Sequence, residues 1–428
     1  MNQTLDRKIA PNSYPVQDFS VLKPSILELD NSSKVFTLKN SSQPIIHFTL
    51  SIKGGKLVEK SLGSASLTSK MLGEGLKGMD SAQIHQKLES FGAIISVSSD
   101  TDSFTINGHC LTRYFREVVV MVKRYLTESD FSENEFQHIL QVMIQQKKLS
   151  EEKTSFIATK LFRENFYGTS HPYGQSLSSE ELLDYDINVV EDYYKQNILY
   201  APFDLFIAGD IGDREIDIIK EVLGTIKFNR SSAIIEYPPF VNKIATSNSK
   251  IYESKDDAVQ TSIRIGCPTF SLPNDDLEAF AVMNETLGGY FGSRLMKNIR
   301  EEKGLSYGIH SSFRNEINQG YFLIASDVKK DLKDLAIEEI YKEINILGDQ
   351  LVSEDELTTV KNYMTGSFVM SINSNLSLLE ITKSLYKKGL SFDYYDSYVS
   401  RIQSVSSEDI KNMVNKYLEG DLLEIAVG

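Results

Sequence analysis

The feature that most constrains the fold of this chain is an internal repeat. Three segments of the 428 residues recur in the same order, and the pairs are 44–55 with 257–268, 126–146 with 351–368, and 187–210 with 406–428. Ser353 lies 221 residues after Ser132 in the second pair. Leu423 lies 218 residues after Leu205 in the third. A nearly constant spacing over three segments indicates two homologous domains in tandem.

The length agrees with this division, because a single hydrophobic core rarely grows beyond roughly 250–300 residues. We place the first domain at 1–230 and the second at 249–428. The segment between them, 231–248, contains Pro238-Pro239 and many small polar residues. That composition is typical of a linker.

Both halves mix two hydrophobic periods. Alternating stretches such as HFTLSIKGG and GYFLIASDV predict strands, whereas FREVVVMVKRYL and LAIEEIYKEINIL have the three-and-four spacing of helices. Strand runs and helix runs are segregated rather than strictly alternating. We therefore expect an α+β fold in which each domain packs helices against a mainly antiparallel sheet.

Composition excludes several classes of protein. The net charge of −14 argues against nucleic acid and against an anionic membrane surface as partners. Two distant cysteines, Cys110 and Cys267, predict neither a disulfide framework nor a cysteine metal site. No run of about 18 apolar residues occurs, so we expect no membrane span. The N-terminal residues do not resemble a signal peptide, which favours a cytoplasmic location. A signal removed beforehand would instead favour the periplasm.

The stretch SRLMKNIREEKGLSYG (293–308) predicts a helix that stops at Gly304 and continues as a strand. Arg300 falls in the last helical turn and Tyr307 near the start of the strand. An arginine and a phenol brought together here would clamp a carbonyl or a developing oxyanion. The alternative is structural: Arg300 caps its helix and Tyr307 packs against the fold. Spacing alone does not separate the two.

The same region carries a family resemblance. LGGYFGSRLMKNIREEKGLSYGIHSSF resembles the second-domain signature of the pitrilysin/insulinase family of zinc peptidases, which includes the mitochondrial processing peptidase. The segment 161–183, with its His-Pro-Tyr-Gly tetrad, and the segment 189–211, which ends in Gly-Asp, also resemble that family. A helix near 64–77 corresponds to its zinc-binding helix. The resemblance covers nearly the whole chain.

The resemblance implies a bilobal fold, of which two copies close like a clam shell around an extended peptide. It assigns Arg300 and Tyr307 to contact with that peptide, together with the neighbouring Gly288 and Gly289. Active members carry H-x-x-E-H, whose histidines bind zinc and whose glutamate is the general base. A further glutamate is the third ligand, and the open fourth position holds a water.

This chain departs from the family at every one of those positions. Ser66 and Lys70 align with the two histidines and Ser69 with the glutamate, and Gln146, 76 residues after Lys70, aligns with the third ligand. A protonated lysine does not bind zinc and repels it. No other histidine pair has metal-ligand spacing, and no nucleophile motif of a serine or cysteine hydrolase occurs. We therefore expect no metal in this chain and no peptidase activity of the chain alone. One hypothesis is that the Lys70 ammonium replaces the charge of the metal.

Three functional hypotheses follow. The first is a non-catalytic, peptide-binding subunit that supplies Arg300 and Tyr307 in trans to a zinc-bearing paralogous chain. The second is a homodimeric peptide-binding or assembly scaffold without peptidase activity. The third is that Arg300 and Tyr307 are inherited architecture with no present role.

Overall fold

The computed structural model describes residues 14, 16, 19–229, 249–315 and 319–428. The predicted linker, 231–248, lies outside the described residues, and the domain boundary stays a prediction. No helix among the described residues is long and apolar enough to cross a membrane.

The described part of the first half contains eight strands and seven α-helices. The strands are β1 (Ser25–Glu28), β2 (Lys34–Lys39), β3 (Ile45–Lys53), β4 (Gly75–Leu76), β5 (Met79–Asp80), β6 (Ile94–Ser99), β7 (Ser103–Leu111) and β8 (Asp204–Gly209). The helices are α1 (Ser64–Met71), α2 (Ser81–Ser90), α3 (Phe115–Thr127), α4 (Glu133–Glu151), α5 (Thr154–Tyr167), α6 (Asn188–Tyr193) and α7 (Asp213–Val222).

The described part of the second half contains five strands and six α-helices. The strands are β9 (Lys250–Glu253), β10 (Gln260–Pro268), β11 (Ser306–Asn315), β12 (Gly320–Lys329) and β13 (Leu423–Val427). The helices are α8 (Leu277–Asn284), α9 (Lys333–Asp349), α10 (Glu354–Ser371), α11 (Asn375–Lys387), α12 (Tyr398–Ser404) and α13 (Ser407–Tyr417). This half also contains two π-helical turns. Glu285–Gly289 extends α8, and Met296–Glu302 forms the helix predicted before Gly304.

Each half builds one principal sheet, and the five strands of the second sheet repeat the order of five of the six strands of the first. The first has the strand order β1-β2-β8-β3-β7-β6 and the second the order β9-β13-β10-β12-β11. One pairing in each sheet is parallel: β2 with β8 in the first sheet, and β9 with β13 in the second. The other described pairings of these sheets are antiparallel. The prediction of two homologous α+β units is confirmed.

The two halves are joined by an exchange of equivalent helices. Helix α5 of the first half packs its aromatic residues against β10 and β13, where Phe162 and Phe166 share a buried cluster with Ile425. Helix α11 of the second half packs on the first sheet, where Leu379 lies with Phe36. The apolar face of each helix is therefore buried only when both halves are folded.

The helix predicted near 64–77 is shorter than expected, since α1 ends at Met71. Leu72 is extended and Gly73 has φ of 106°, a left-handed value that a helix does not continue through. The N-terminus of α1 is capped from a distance. The carboxylate of Glu59 accepts hydrogen bonds from the backbone N–H groups of Gly63 and Ala65, both at 2.9 Å.

Candidate functional site

The side chains that replace the zinc ligands lie around one cavity. Ser66, Lys70 and Gln146 all line a space of about 420 Å³ between α1 and α4. Ser69, at the position of the general base, does not line it. Its hydroxyl donates to the carbonyl oxygen of Ser66 at 2.7 Å, within its own helix. The cavity therefore brings together three of the four residues aligned with the zinc motif and leaves out Ser69.

The donor set does not fit zinc. A serine hydroxyl, an ammonium and a carboxamide supply neither imidazole nor carboxylate, the ligands that this kind of zinc site requires. In the part of the chain that the structure describes, no group of three or more histidine, cysteine, aspartate or glutamate side chains could hold a metal ion. His171 lies in a loop before a proline, where it is buried and stacked on Tyr167 and Tyr173.

Three further cations line the same cavity, and sequence reasoning missed them. Lys56 and Arg163 are fixed by the 171–175 loop, because Lys56 Nζ donates to the Gln175 carbonyl at 2.6 Å and Arg163 Nε to the Tyr173 carbonyl at 2.8 Å. Lys147, next to Gln146, stacks over the ring of Phe156. These three are half-buried, whereas Lys70 is exposed.

Burial and neighbouring positive charge perturb the lysines of this cavity. Burial first, and then the nearby Arg163, lower the pKa of Lys56 to about 8, and Glu59 offsets only part of this effect. Burial also lowers the pKa of Lys147. The hypothesis that Lys70 carries the charge of the missing metal is therefore too narrow, because most of the enclosed charge belongs to Lys56, Lys147 and Arg163.

The second candidate site lies beside β11. Tyr307 lines a cavity of about 760 Å³ together with Gly288 and Gly289, and its side chain is 89% exposed. Arg300 is also exposed and does not line this cavity. Its guanidinium lies over the ring of Phe291, 5.1 Å from the ring centroid, and Phe291 does line it. The structure thus connects Arg300 to the cavity through an aromatic ring that the sequence did not single out.

The structural alternative for this corner does not describe it. Tyr307 does not pack, given its exposure, and no hydrogen bond or ion pair of Arg300 occurs among the described residues. Gly304 has φ of 62°, which confirms the predicted left-handed stop. Arg300 and Tyr307 are therefore both exposed, and the contact that the structure gives the Arg300 guanidinium is the ring of Phe291.

Gly288, the first of the paired glycines, has a packing role. A Cβ at Gly288 would lie 2.8 Å from the backbone nitrogen of Ser311 in β11, and one at Gly289 would lie 2.7 Å from the carboxyl carbon of Glu285. The contact at Gly288 is with backbone and is too short for any side chain, so glycine there lets the π-helical turn approach β11. The contact at Gly289 is with the end of a flexible side chain, which can move away.

Comparisons with known proteins agree with this geometry. Residues 34–178 match the family described as insulinase (peptidase family M16), and residues 184–364 match the family described as peptidase M16 inactive domain. A Helicobacter pylori protein named non-peptidase homolog YmxG is 25% identical over 87% of this chain and 86% of its own length. A Bacillus subtilis protein named uncharacterized zinc protease YmxG is 24% identical over 70% and 73%. The crystal structure of a peptidase M16 inactive domain from Pseudomonas fluorescens superposes with a TM-score of 0.85 at 19% identity, covering 95% of this chain and 98% of that one.

Proposed function

Because the chain belongs to the insulinase family, peptidase M16, but lacks its zinc-binding motif, we propose that it is the peptide-binding, non-catalytic subunit of a two-chain zinc peptidase. One observation carries the proposal. Ser66, Lys70 and Gln146, the residues that we align with the zinc ligands, line one cavity, while Arg300 and Tyr307 are exposed and Arg300 contacts only the ring of Phe291 among the interactions of its guanidinium in the described residues. The chain has lost the half of the chemistry that needs a metal and kept side chains that could act on another molecule.

Extended peptide would bind along β6. This strand forms the outer edge of the first sheet in the described part of the chain, so its outward N–H and C=O groups are available to a further strand. Ser96 and Ser98 of β6 line a hollow of about 850 Å³ that α11 closes on the other side. Main-chain hydrogen bonds would supply affinity, and this hollow would receive alternate side chains of the peptide.

Arg300 and Tyr307 would act in trans. A zinc-bearing partner would supply the metal and its water, and the guanidinium and phenol of this chain would hold the peptide carbonyl under attack. Donors placed where negative charge develops lower the barrier to acyl transfer. In this proposal the partner is a paralogous chain with H-x-x-E-H, located with this chain in the cytoplasm.

The test is reconstitution. We would mix the purified chain with an H-x-x-E-H paralogue from the same organism and follow cleavage of an internally quenched peptide. Arg300→Ala or Tyr307→Phe in this chain should lower kcat by about 10²-fold or more, as removal of an oxyanion donor does. Lys297→Ala is the matched control, since Lys297 is exposed in the same helical turn. Zinc-dependent cleavage by this chain alone would refute the proposal.

A scaffold without peptidase activity is the second candidate. The presence of Phe291 and Tyr307 at 62% and 89% exposure favours a surface that another protein covers. A homodimer that binds peptide, with no cleavage when any H-x-x-E-H paralogue is added, would support it. If peptide affinity is unchanged by both Arg300→Ala and Tyr307→Phe, these residues are inherited architecture only.

A further inference from the structure

The cavity at the former metal position has the charge of an anion site. Four cations line it from four different elements: Lys56 after β3, Lys70 at the end of α1, Lys147 on α4 and Arg163 on α5. Their convergence is a property of the fold, because no two of them are adjacent in sequence. A net positive cavity is also unexpected in a chain whose total charge is −14.

Nearby carboxylates offset these charges only in part: Glu59 acts on Lys56, and Glu151 and Glu181 act on Lys147, yet burial still lowers the pKa of both lysines. No carboxylate oxygen of the described residues lies within 4.0 Å of the charged nitrogens of Lys56, Lys70, Lys147 or Arg163. Like charges gathered in a partly dehydrated space repel one another, which costs free energy unless an anion joins them.

The two acids at the wall are committed elsewhere. Glu59 caps α1 through Gly63 and Ala65. Asp100 accepts hydrogen bonds from the backbone N–H groups of Asp102 and Ser103 and from the Ser103 hydroxyl, at 2.8, 2.6 and 2.9 Å. Glu59 is near enough to Lys56 to raise its pKa in part, but neither carboxylate forms an ion pair with any of the four cations.

The cavity adjoins the strand proposed to pair with peptide. Ser99, the last residue of β6, lines this cavity, while Ser96 and Ser98 line the larger hollow on the other face. Side chains alternate along a strand, so a peptide paired with β6 would direct every second side chain, or its end, towards the cations. The space of about 420 Å³ is ample for a carboxylate on a short stem.

We propose that this cavity binds a carboxylate of the peptide ligand, either an acidic side chain or the C-terminal group. The inference rests on the proposed peptide-binding function and names its specificity. Active relatives hold a metal ion that activates water for attack on the peptide. In this chain, positively charged side chains at that position select the peptide by its carboxylate. Lys56 and Arg163 are held in place by backbone carbonyls, and Lys70 and Lys147 close over the anion.

The test uses calorimetric titration of the full chain with three synthetic peptides. They are acetyl-Val-Thr-Val-Thr-Val-Glu-amide, the same peptide ending in Gln-amide, and acetyl-Val-Thr-Val-Thr-Val with a free carboxylate. We expect the Glu peptide, the free-carboxylate peptide or both to bind at least about tenfold more tightly than the Gln amide, since charge-assisted contacts are the strong ones. The pair that differs identifies which carboxylate is bound.

Charge variants locate the effect. Lys70→Gln and Lys147→Gln should each remove most of the preference for carboxylate. Lys148→Gln is the matched control, because Lys148 is the next residue of α4, exposed and outside the cavity. Equal affinity for all three peptides would overturn the carboxylate site and leave the peptide-binding function standing.

A small anion separates the two proposals. If none of the peptides binds, the peptide-binding function fails as tested, and succinate is titrated instead. Succinate binding that is lost in Lys70→Gln and Lys147→Gln but kept in Lys148→Gln would still support the anion site. Absence of succinate binding in that case, or binding that all three variants keep, would overturn it.

Discussion

The ring of Phe162, in α5 of the first half, occupies the space above Gly266 in β10 of the second half. A Cβ at Gly266 would lie 2.9 Å from that ring and 2.2 Å from the carbonyl oxygen of Phe322. The absence of a side chain in β10 is therefore what lets a helix from the other half lie flat on this sheet. The contact is part of the exchange of helices that joins the two halves.

Gly266→Ala should destabilise the protein by about 1–3 kcal/mol. The new methyl group would lie 2.2 Å from a backbone oxygen of β12, and β12 cannot move away without disturbing the hydrogen bonds between the strands. Urea unfolding followed by circular dichroism measures this. Gly366→Ala is the control: a Cβ there meets nothing within 4 Å, inside α10. It should gain about 0.4–1 kcal/mol through loss of unfolded-state entropy. Equal stability of the two variants would contradict the role assigned to Gly266.

The exchange shows which level of structure the sequence could predict. The repeat predicted two like halves, since homologous segments fold alike, and five strands of each sheet follow the same order. Hydrophobic period predicted helices such as those of FREVVVMVKRYL and LAIEEIYKEINIL, each with an apolar face. Period says nothing about which sheet covers that face, because burial depends on contacts distant in sequence. The cross-over of α5 and α11 was therefore beyond reach.

The same limit applies to the cavity. Aligned motif positions placed Ser66 and Gln146 together, and both line it. Lys56 and Arg163 lie on other elements and match no motif, so only the folded chain reveals them. Lys147 had one signal, its position beside Gln146. At the other site, the structure shows that Tyr307 is exposed rather than packed, and residue spacing could not predict this because it carries no information on exposure.

Arg300 and Arg294, six residues apart, should differ sharply in their effect on stability. Arg294 forms two hydrogen bonds of 2.8 Å with the carboxylate of Glu356, and its side chain is 15% exposed. Arg294→Ala should cost about 1–3 kcal/mol by leaving Glu356 without its partner. Arg300→Ala should change the free energy of unfolding by less than about 0.5 kcal/mol. A large loss in Arg300→Ala would indicate a structural role.

Lys56 should make stability rise at alkaline pH. Its folded pKa of about 8 lies below the ordinary value of 10.5 for lysine, so between these values the unfolded chain binds more protons than the folded one. The penalty for burying the charge is fully present below pH 8 and is relieved as pH rises towards 10.5. After allowance for solvent screening, we expect a relief of about 1–2 kcal/mol.

The measurement for Lys56 is a difference between two proteins, because tyrosines and other lysines titrate in the same range. Urea unfolding of the unsubstituted chain and of Lys56→Gln is compared from pH 7 to pH 10. The unsubstituted chain should gain stability relative to Lys56→Gln over this range. A constant difference would mean that Lys56 has an ordinary pKa, and the enclosed positive charge would then be smaller than the structure indicates.

Restoring the metal ligands tests whether the three emptied positions still converge. The chain as it stands should retain no zinc after dialysis, measured by mass spectrometry of the metal. The triple variant Ser66→His, Lys70→His and Gln146→Glu should retain about one zinc per chain, because all three side chains line one cavity. The remaining cations Lys56, Lys147 and Arg163 should weaken that binding by electrostatic repulsion.

Adding Lys147→Gln to the triple variant should therefore tighten zinc binding by about tenfold, whereas adding Lys148→Gln should not, because only Lys147 lines the cavity. A competition titration with a coloured chelator measures both.

Peptidase activity is not expected in any of these variants, since Ser69 still replaces the general base and its hydroxyl is bonded to its own helix. Failure of the triple variant to bind zinc would mean that the three positions share the cavity wall but no longer share a coordination centre. Zinc binding without a Lys147 effect would mean that the cations lie too far from the metal position to act on it.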